Sequence, residues 1–453
     1  MRPAVEEPAE EPRPGAVPPW PADPRIEARE PRNLLLLAVH QIVFRVGWIF
    51  KTESVIMPAF LDAVAGPNSG WLRGFLPVFN RIGQSVPPVF LADRLTHVRV
   101  KHRALAAFTA LLSLPFATLA VLWWTGAGQG DWWMPWVFLG VYCLFFVFAG
   151  MYHLSSGMVQ GKLIRPTRRG LLLTRAAVVG TVPATLAAWW LLPGWLERPD
   201  GGYAQIFTAT TVCFLLSGLL VLLLYETPDR PGADPPGPRR SSLADLGHVL
   251  RGDRNLRRLV VVAMLWSSCL IVFPHYQAFA REELGLSGVH LMVWVITQNV
   301  SVGVWSLFVG PMADVFGNRL TLRTLVFGSA AAPLFAASLP LLPGTMGARV
   351  FWTVFIALGI TPLVLRILVN YALEICGPDR HPRYLSTLSL CVAAPFLLSP
   401  LVGWLVDAVG FERVFFAAAG LVLVAGALTF TLAEPRHHVR FGEPAVVEPG
   451  ADE

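Results

Sequence analysis

Gly310-Pro311-Met312-Ala313-Asp314-Val315-Phe316-Gly317-Asn318-Arg319 lies between two long apolar runs, 290–312 and 320–342. A run of about 20 apolar residues crosses the hydrocarbon core of a bilayer as a helix. The stretch therefore reads as a hairpin turn joining two spans. Gly317 permits the positive backbone angle of a tight reversal, and Asp314 can face the positive N-terminal end of a neighbouring helix. Arg319 can pair with a carboxylate or with the last carbonyls of another span.

The rest of the chain repeats this pattern. Of 453 residues, 54% are hydrophobic and 15% charged, with a mean hydropathy of +0.54. Those values argue against two or three soluble domains and for a polytopic membrane protein. The net charge of +6 does not indicate a nucleic-acid partner, because the basic residues sit in short clusters between apolar runs. That is how membrane topology is written. Lys51, Lys101 and Lys162 are the only lysines, so Arg carries most of the positive charge. Five scattered cysteines form no CxxC pair and no disulfide framework.

Residues 1–32, rich in Pro, Glu and Arg, read as a disordered cytoplasmic tail without the apolar core of a signal peptide. Six spans follow near 33–61, 70–91, 104–125, 132–155, 171–194 and 204–225, forming an N-terminal bundle over 33–225. A Pro- and Arg-containing cytoplasmic linker occupies 226–255. Six more spans, near 256–280, 290–312, 320–342, 348–375, 385–408 and 411–433, form a C-terminal bundle over 256–434. A cytoplasmic tail, 435–453, closes the chain. The expected fold is all-α, with twelve transmembrane helices in two pseudo-symmetric six-helix bundles. Placing both termini in the cytoplasm puts 27 Lys and Arg on that side and five on the other (Arg73, Arg198, Arg281, Arg349, Arg413). The positive-inside rule then orients the chain in the cytoplasmic, or inner, membrane.

The halves echo one another. Leu91-Ala92-Asp93-Arg94 after helix 2 corresponds to Met312-Ala313-Asp314-Val315 after helix 8, and Tyr225-Glu226-Thr227-Pro228 to Ala433-Glu434-Pro435. Pro166-Thr167-Arg168-Arg169-Gly170 after helix 4 corresponds to the turn at 379–383. The G-x-x-x-D-x-x-G-x-R pattern of 310–319 resembles the helix-8/9 loop of major facilitator superfamily transporters. Pro400 to Phe411 is similar to the end of helix 11 in that superfamily. The first-half copy departs from the pattern, with Val89 and Thr96 where the glycines would stand. The resemblance implies secondary transport by alternating access, with Asp93, Arg94, Gly310, Asp314, Gly317 and Arg319 in gating loops. No subfamily of known substrate is matched.

Candidate site residues come from helical periodicity. On helix 1, Gln41, Arg45, Trp48 and Thr52 share one face; on helix 2, Arg73, Pro77, Asn80, Arg81 and Gln84 do. The resemblance implies that helix 1 lines the central cavity and that helix 2 borders it. An Arg at the bilayer centre costs roughly 2.5–3.5 kcal/mol on insertion scales, so Arg45 and Arg81 must face protein, water or an anion. Arg suits an anion because its planar fork binds carboxylate or phosphate in bidentate fashion. Helix 10 offers Arg366, Asn370 and Glu374 in steps of four, and helix 8 adds Gln298 and Asn299. Glu53, with His275 as a second candidate, is the expected proton carrier, and Lys51, two residues from Glu53, is expected on a different face. Trp123-Trp124 and Trp132-Trp133 fit an interfacial belt.

No Walker, HExxH or GxSxG motif is present, so neither ATP-driven transport nor an enzyme is expected, and no cofactor or metal site either. The expectation is a monomeric secondary transporter of a small organic anion, bound by Arg45, Arg81 and Arg366 and coupled to protons. Its partners would be the substrate, the bilayer and the coupling ion. Two alternatives stand beside it. One is an exporter of neutral or amphipathic solutes with structural arginines; the other is a receptor or assembly protein that kept the fold without transport.

Overall fold

The computed structural model describes residues 23–229, 243–286, 288–376 and 380–434. The ends of both expected tails, 1–22 and 435–453, and the middle of the expected linker, 230–242, lie outside the described residues. Helix α1, Pro24–Phe50, starts where its first donors find an acceptor. The Asp23 carboxylate accepts from the Arg25 N–H at 2.8 Å, and Pro24 occupies the first turn, where a missing N–H costs nothing. The expected tail is therefore shorter than 1–32. Glu30 holds the added turns by ion pairs to Arg165 and Arg168, and Glu27 pairs with Arg165.

The remaining principal helices are α2 (Phe75–Thr96), α3 (Lys101–Trp124), α4 (Met134–Leu163), α5 (Pro166–Leu196), α6 (Tyr203–Leu222), α7 (Arg254–Glu282), α8 (His290–Phe316), α9 (Asn318–Leu341), α10 (Met346–Glu374), α11 (Arg383–Val409) and α12 (Phe411–Thr431). Ten of the twelve are long and apolar enough to cross a membrane by length and composition. α2 and α5 match them in length, at 22 and 31 residues. Their polarity comes from Asn80, Arg81 and Gln84 in one and Arg168, Arg169 and Arg175 in the other.

The first crossing is not one helix over 33–61. α1 stops at Phe50, and helix resumes at Ile56–Ala65. Between them the Thr52 hydroxyl donates to the Ile49 carbonyl at 2.6 Å, and the Thr52 carbonyl accepts from the N–H groups of Ile56 and Met57. A side chain that bonds locally to backbone competes with the helical ladder, and Pro58 removes the donor that would bond back to residue 54.

The two halves use the same devices. Asn33 in α1 clasps the chain after α6, donating to the Tyr225 carbonyl at 2.9 Å and accepting from its N–H at 3.0 Å. Asn255, at the start of α7, accepts from the Ala433 N–H after α12 at 3.0 Å. The α8–α9 turn has Gly317 at φ +86° and the α11–α12 turn has Gly410 at φ +91°, a region costly for any residue with a Cβ. Arg319 donates to the Phe430 carbonyl at 3.2 Å, so the hairpin is tied to the last carbonyls of α12. Lipid offers no hydrophobic drive between helices, so packing within the bundle matters most. In the first half, Phe60 meets Trp123, Phe138, Tyr203 and Phe207 edge-on, with centroids 4.9–5.1 Å apart.

At the end of the bundle that carries the termini, the segment after α6 is anchored by charge. Glu226 accepts from Lys162 at 2.6 Å, from the His102 ring at 2.9 Å, and from the N–H groups of Lys101 and His102. Burial alone would push this carboxyl up. The hydrogen bonds outweigh burial and hold it down at about 2, against an ordinary value of 4.5. A depressed carboxylate contributes stability that is complete above pH 4.5 and lost as pH falls toward 2. Thermal melts of purified protein across that window are expected to show the loss, and Glu226→Gln to flatten it. An unchanged acid limb in Glu226→Gln would remove the anchor from the account.

Candidate functional site

One end of the molecule, opposite the termini, is sealed by charge. Arg73, in the short helix Gly70–Arg73, donates to Asp62 at 2.9 Å and to Glu282 of α7 at 3.3 Å, and lies 3.6 Å from Asp407 of α11. Arg281 of α7 reaches Asp62 at 3.1 Å. The Gly70 N–H donates to Asp407 at 2.9 Å. Among the described residues, every ion pair between the two halves belongs to this cluster. Arg73 and Asp62 are essentially fully buried. Arg73 was expected on the cavity face of helix 2; its separate short helix turns it into the seal instead.

Below the seal lies a cavity of about 190 Å3 between the halves. Arg81 is the seventh residue of α2, about 9 Å along its axis from Phe75, so the cavity lies beside the first half of that helix. Its first-half wall holds the polar groups, Glu53, Asn80, Arg81, Gln84 and Tyr142, beside Leu76 and Pro77; its second-half wall is apolar, with Leu270, Phe273, Pro274, Leu365 and Phe396. α2 thus presents the expected face, Pro77, Asn80, Arg81 and Gln84, to the space between the halves. Asn80 donates to Glu53, and Gln84 donates to Asn80 at 2.7 Å.

The arginines are not tied off. Arg81 stands over the Phe396 ring at 5.5 Å, attracted by Glu53 at longer range, with its Nε buried and lacking a hydrogen-bond partner. Arg45 of α1 and the exposed Arg366 of α10 come from opposite halves and are near enough to repel one another. The Nε of Arg45 is also buried without a partner. None of the three has an ion pair among the described residues.

Glu53 is paired, against expectation. Lys51 Nζ lies 2.6 Å from its Oε1, because the helix breaks at 51–55 and the spacing of an unbroken helix does not apply. The other predicted residues scatter. Gln298 accepts from Ser54 at 2.5 Å, bridging the halves, whereas Asn299 bonds back to the Val295 carbonyl of its own helix. Trp48 packs away from the cavity, stacking on Phe44 and covering Lys51. Gln41 and Asn370 are half-buried outside the cavity wall. His275 is fully buried beside Arg73, and neither ring nitrogen has a hydrogen-bond partner. Gly310, Asp314 and Arg94 are exposed, and the side chain of Asp93 lies outside the described residues.

Sequence reasoning did not single out Asp62, Arg281, Glu282 or Gly70 for the seal. Asp407 and Gly403 fell within the quoted 400–411 motif, which was the one available signal. Among the described residues, no three His, Cys, Asp or Glu side chains gather as a metal site would require.

Residues 272–448 match the sequence family described as Major Facilitator Superfamily. No curated protein matches the chain. Among solved structures, the nucleoside transporter NupG aligns with 88% of this chain and 100% of its own, at TM-score 0.66 and 12% identity. A bacterial homologue of the human lysosomal transporter Spinster, inward-facing and occupied, aligns with 88% of this chain and 96% of its own, at TM-score 0.63 and 14% identity. The E. coli fucose:proton symporter FucP aligns with 88% and 98%, at TM-score 0.57 and 13% identity. At such identities the structural likeness speaks for the fold, and the sequence match speaks for the family. With residues 272–448 matched by sequence and its length folded as these transporters fold, the chain is similar to the major facilitator superfamily in that segment and in fold.

Proposed function

We propose that this protein is a secondary transporter that moves a small organic anion across the cytoplasmic membrane by alternating access. The observation that carries the reading is Arg81, which lines the cavity without an ion-pair partner; Arg45 and Arg366, from opposite halves and outside that wall, also lack one among the described residues. Guanidinium groups at this depth are costly unless an anion or water meets them. A ligand held by Arg81 against the second-half wall would bridge the halves and draw them together, which is what coupling binding to rocking requires. With the far end sealed and the termini cytoplasmic, this conformation faces inward. Glu53, on the cavity wall, is the proposed proton carrier, and His275, beside the seal, the second titratable group of the cycle.

Uptake of radiolabelled anions into proteoliposomes tests this. Each charge-assisted contact is worth about 1.5–3 kcal/mol, so Arg81→Ala should weaken apparent affinity roughly 10- to 100-fold, and Arg45→Ala and Arg366→Ala should weaken it too. Arg→Lys should recover only part, since an ammonium lacks the fork. An imposed proton gradient should accelerate the wild type and leave Glu53→Gln unaffected. Equal anion transport by wild type and Arg81→Ala would sink the anion reading.

A further inference from the structure

The cavity wall carries one carboxylate, and it is already occupied. Lys51 is fully buried, with Nζ 2.6 Å from Glu53 Oε1. Its ammonium lies 3.2 Å from the centroid of the Trp48 ring and 4.7 and 4.8 Å from those of Phe145 and Phe146. Aromatic faces on one side and a carboxylate on the other form an ammonium box, and the chain fills it with its own side chain. The second oxygen of Glu53 accepts from Asn80. The charged group that remains for a ligand on the polar wall is the guanidinium of Arg81, beside the neutral Gln84 and Tyr142. The facing wall, including Phe273 and Phe396, offers only apolar surface.

We propose that Lys51 is a tethered counter-cation that sets the charge of the ligand: by occupying Glu53 it fits the cavity to a small monoanion with an apolar body and closes it to zwitterions and amines. This rests on the organic-anion reading and narrows it. The carboxylate of the ligand meets Arg81, and its hydrocarbon body lies against Phe273 and Phe396. A cavity of about 190 Å3 is smaller than the roughly 300–1,000 Å3 of sites for drug-sized molecules, so the ligand is small. A ligand ammonium would enter beside Arg81 with no free acid to meet it, and an unpaired buried charge is strongly disfavoured. Inorganic phosphate would satisfy Arg81 but leave the apolar wall uncovered.

The test is calorimetric binding to the purified full-length protein, with benzoate, inorganic phosphate, phenylalanine and benzylamine as probes. Wild type is expected to bind benzoate at least about tenfold tighter than the other three. Lys51→Met frees Glu53 and is expected to raise phenylalanine binding to that of benzoate or above. The double variant Lys51→Met/Glu53→Gln removes the freed acid, and the gain should vanish; a general loosening of structure would not show that reversal. Phenylalanine binding wild type as tightly as benzoate overturns the proposal without any variant being folded. So does an unchanged order of ligands in a folded Lys51→Met. Phosphate binding as tightly as benzoate removes this inference and leaves the anion reading standing, whereas no anion binding at all removes both.

Discussion

Gly403→Ala is expected to leave the carrier unable to seal the end opposite its termini. The Gly70–Arg73 helix and α11 cross there with backbones in contact. A Cβ on Gly403 would fall closer than 3.0 Å to the Gly70 carbonyl, and one on Gly70 equally close to the Gly403 carbonyl. Both obstacles are backbone and cannot rotate aside, so the helices must part. Overpacking costs about 1–3 kcal/mol, which lowers the ratio of sealed to open molecules roughly 5- to 150-fold. Parting them also breaks the hydrogen bond from the Gly70 N–H to Asp407 and separates Arg73 from its partners on α7 and α11. Spin labels at the exposed Ala63 and Glu412 would read the change as a longer distance across the mouth, together with loss of transport. Gly420→Ala, where an added Cβ meets nothing within 4 Å, is the control and should leave both unchanged. A sealed distance retained in Gly403→Ala would mean that this crossing does not govern closure.

Arg73→Met is the second large effect. Arg73 is the one cation that touches Asp62, Glu282 and Asp407 together, and its side chain is 1% exposed. Its removal leaves Arg281 alone against three carboxylates, one of them, Asp62, wholly buried. Breaking a buried pair by deleting one partner costs about 3–5 kcal/mol, because the remaining charge stays desolvated. The sealed state should lose most of its population, with a fall in melting temperature and the same opening between the labels. Asp62→Asn added to Arg73→Met removes the orphaned charge and should restore part of the seal. Full additivity of the two variants would show that the pair does not hold the end shut.

How much of this was legible in the sequence depended on sequence distance. The α8–α9 hairpin was, because two apolar runs bound it and Gly317 supplies its positive φ. The cavity face of α2 was also legible, because Pro77, Asn80, Arg81 and Gln84 recur at helical spacing along one element. The pairing of Lys51 with Glu53 was not. Helical geometry puts residues two apart on different faces, and the break at 51–55 cancels that geometry. Pro58 was the signal for the break, since it cannot donate back to residue 54. The seal was illegible for another reason: Asp62 and Asp407 are brought to one guanidinium from opposite ends of the chain.

The sequence by itself determined the number of principal helices and the face that α2 turns to the space between the halves. Lipid cannot hydrogen-bond a backbone, so each crossing must satisfy itself as a helix, and that demand is written locally in every apolar run. Only the tertiary structure decided that Lys51 takes the cavity's carboxylate and that two glycines meet where the halves close. Those outcomes depend on which distant segments pack together, and packing between helices leaves no periodic mark on either one.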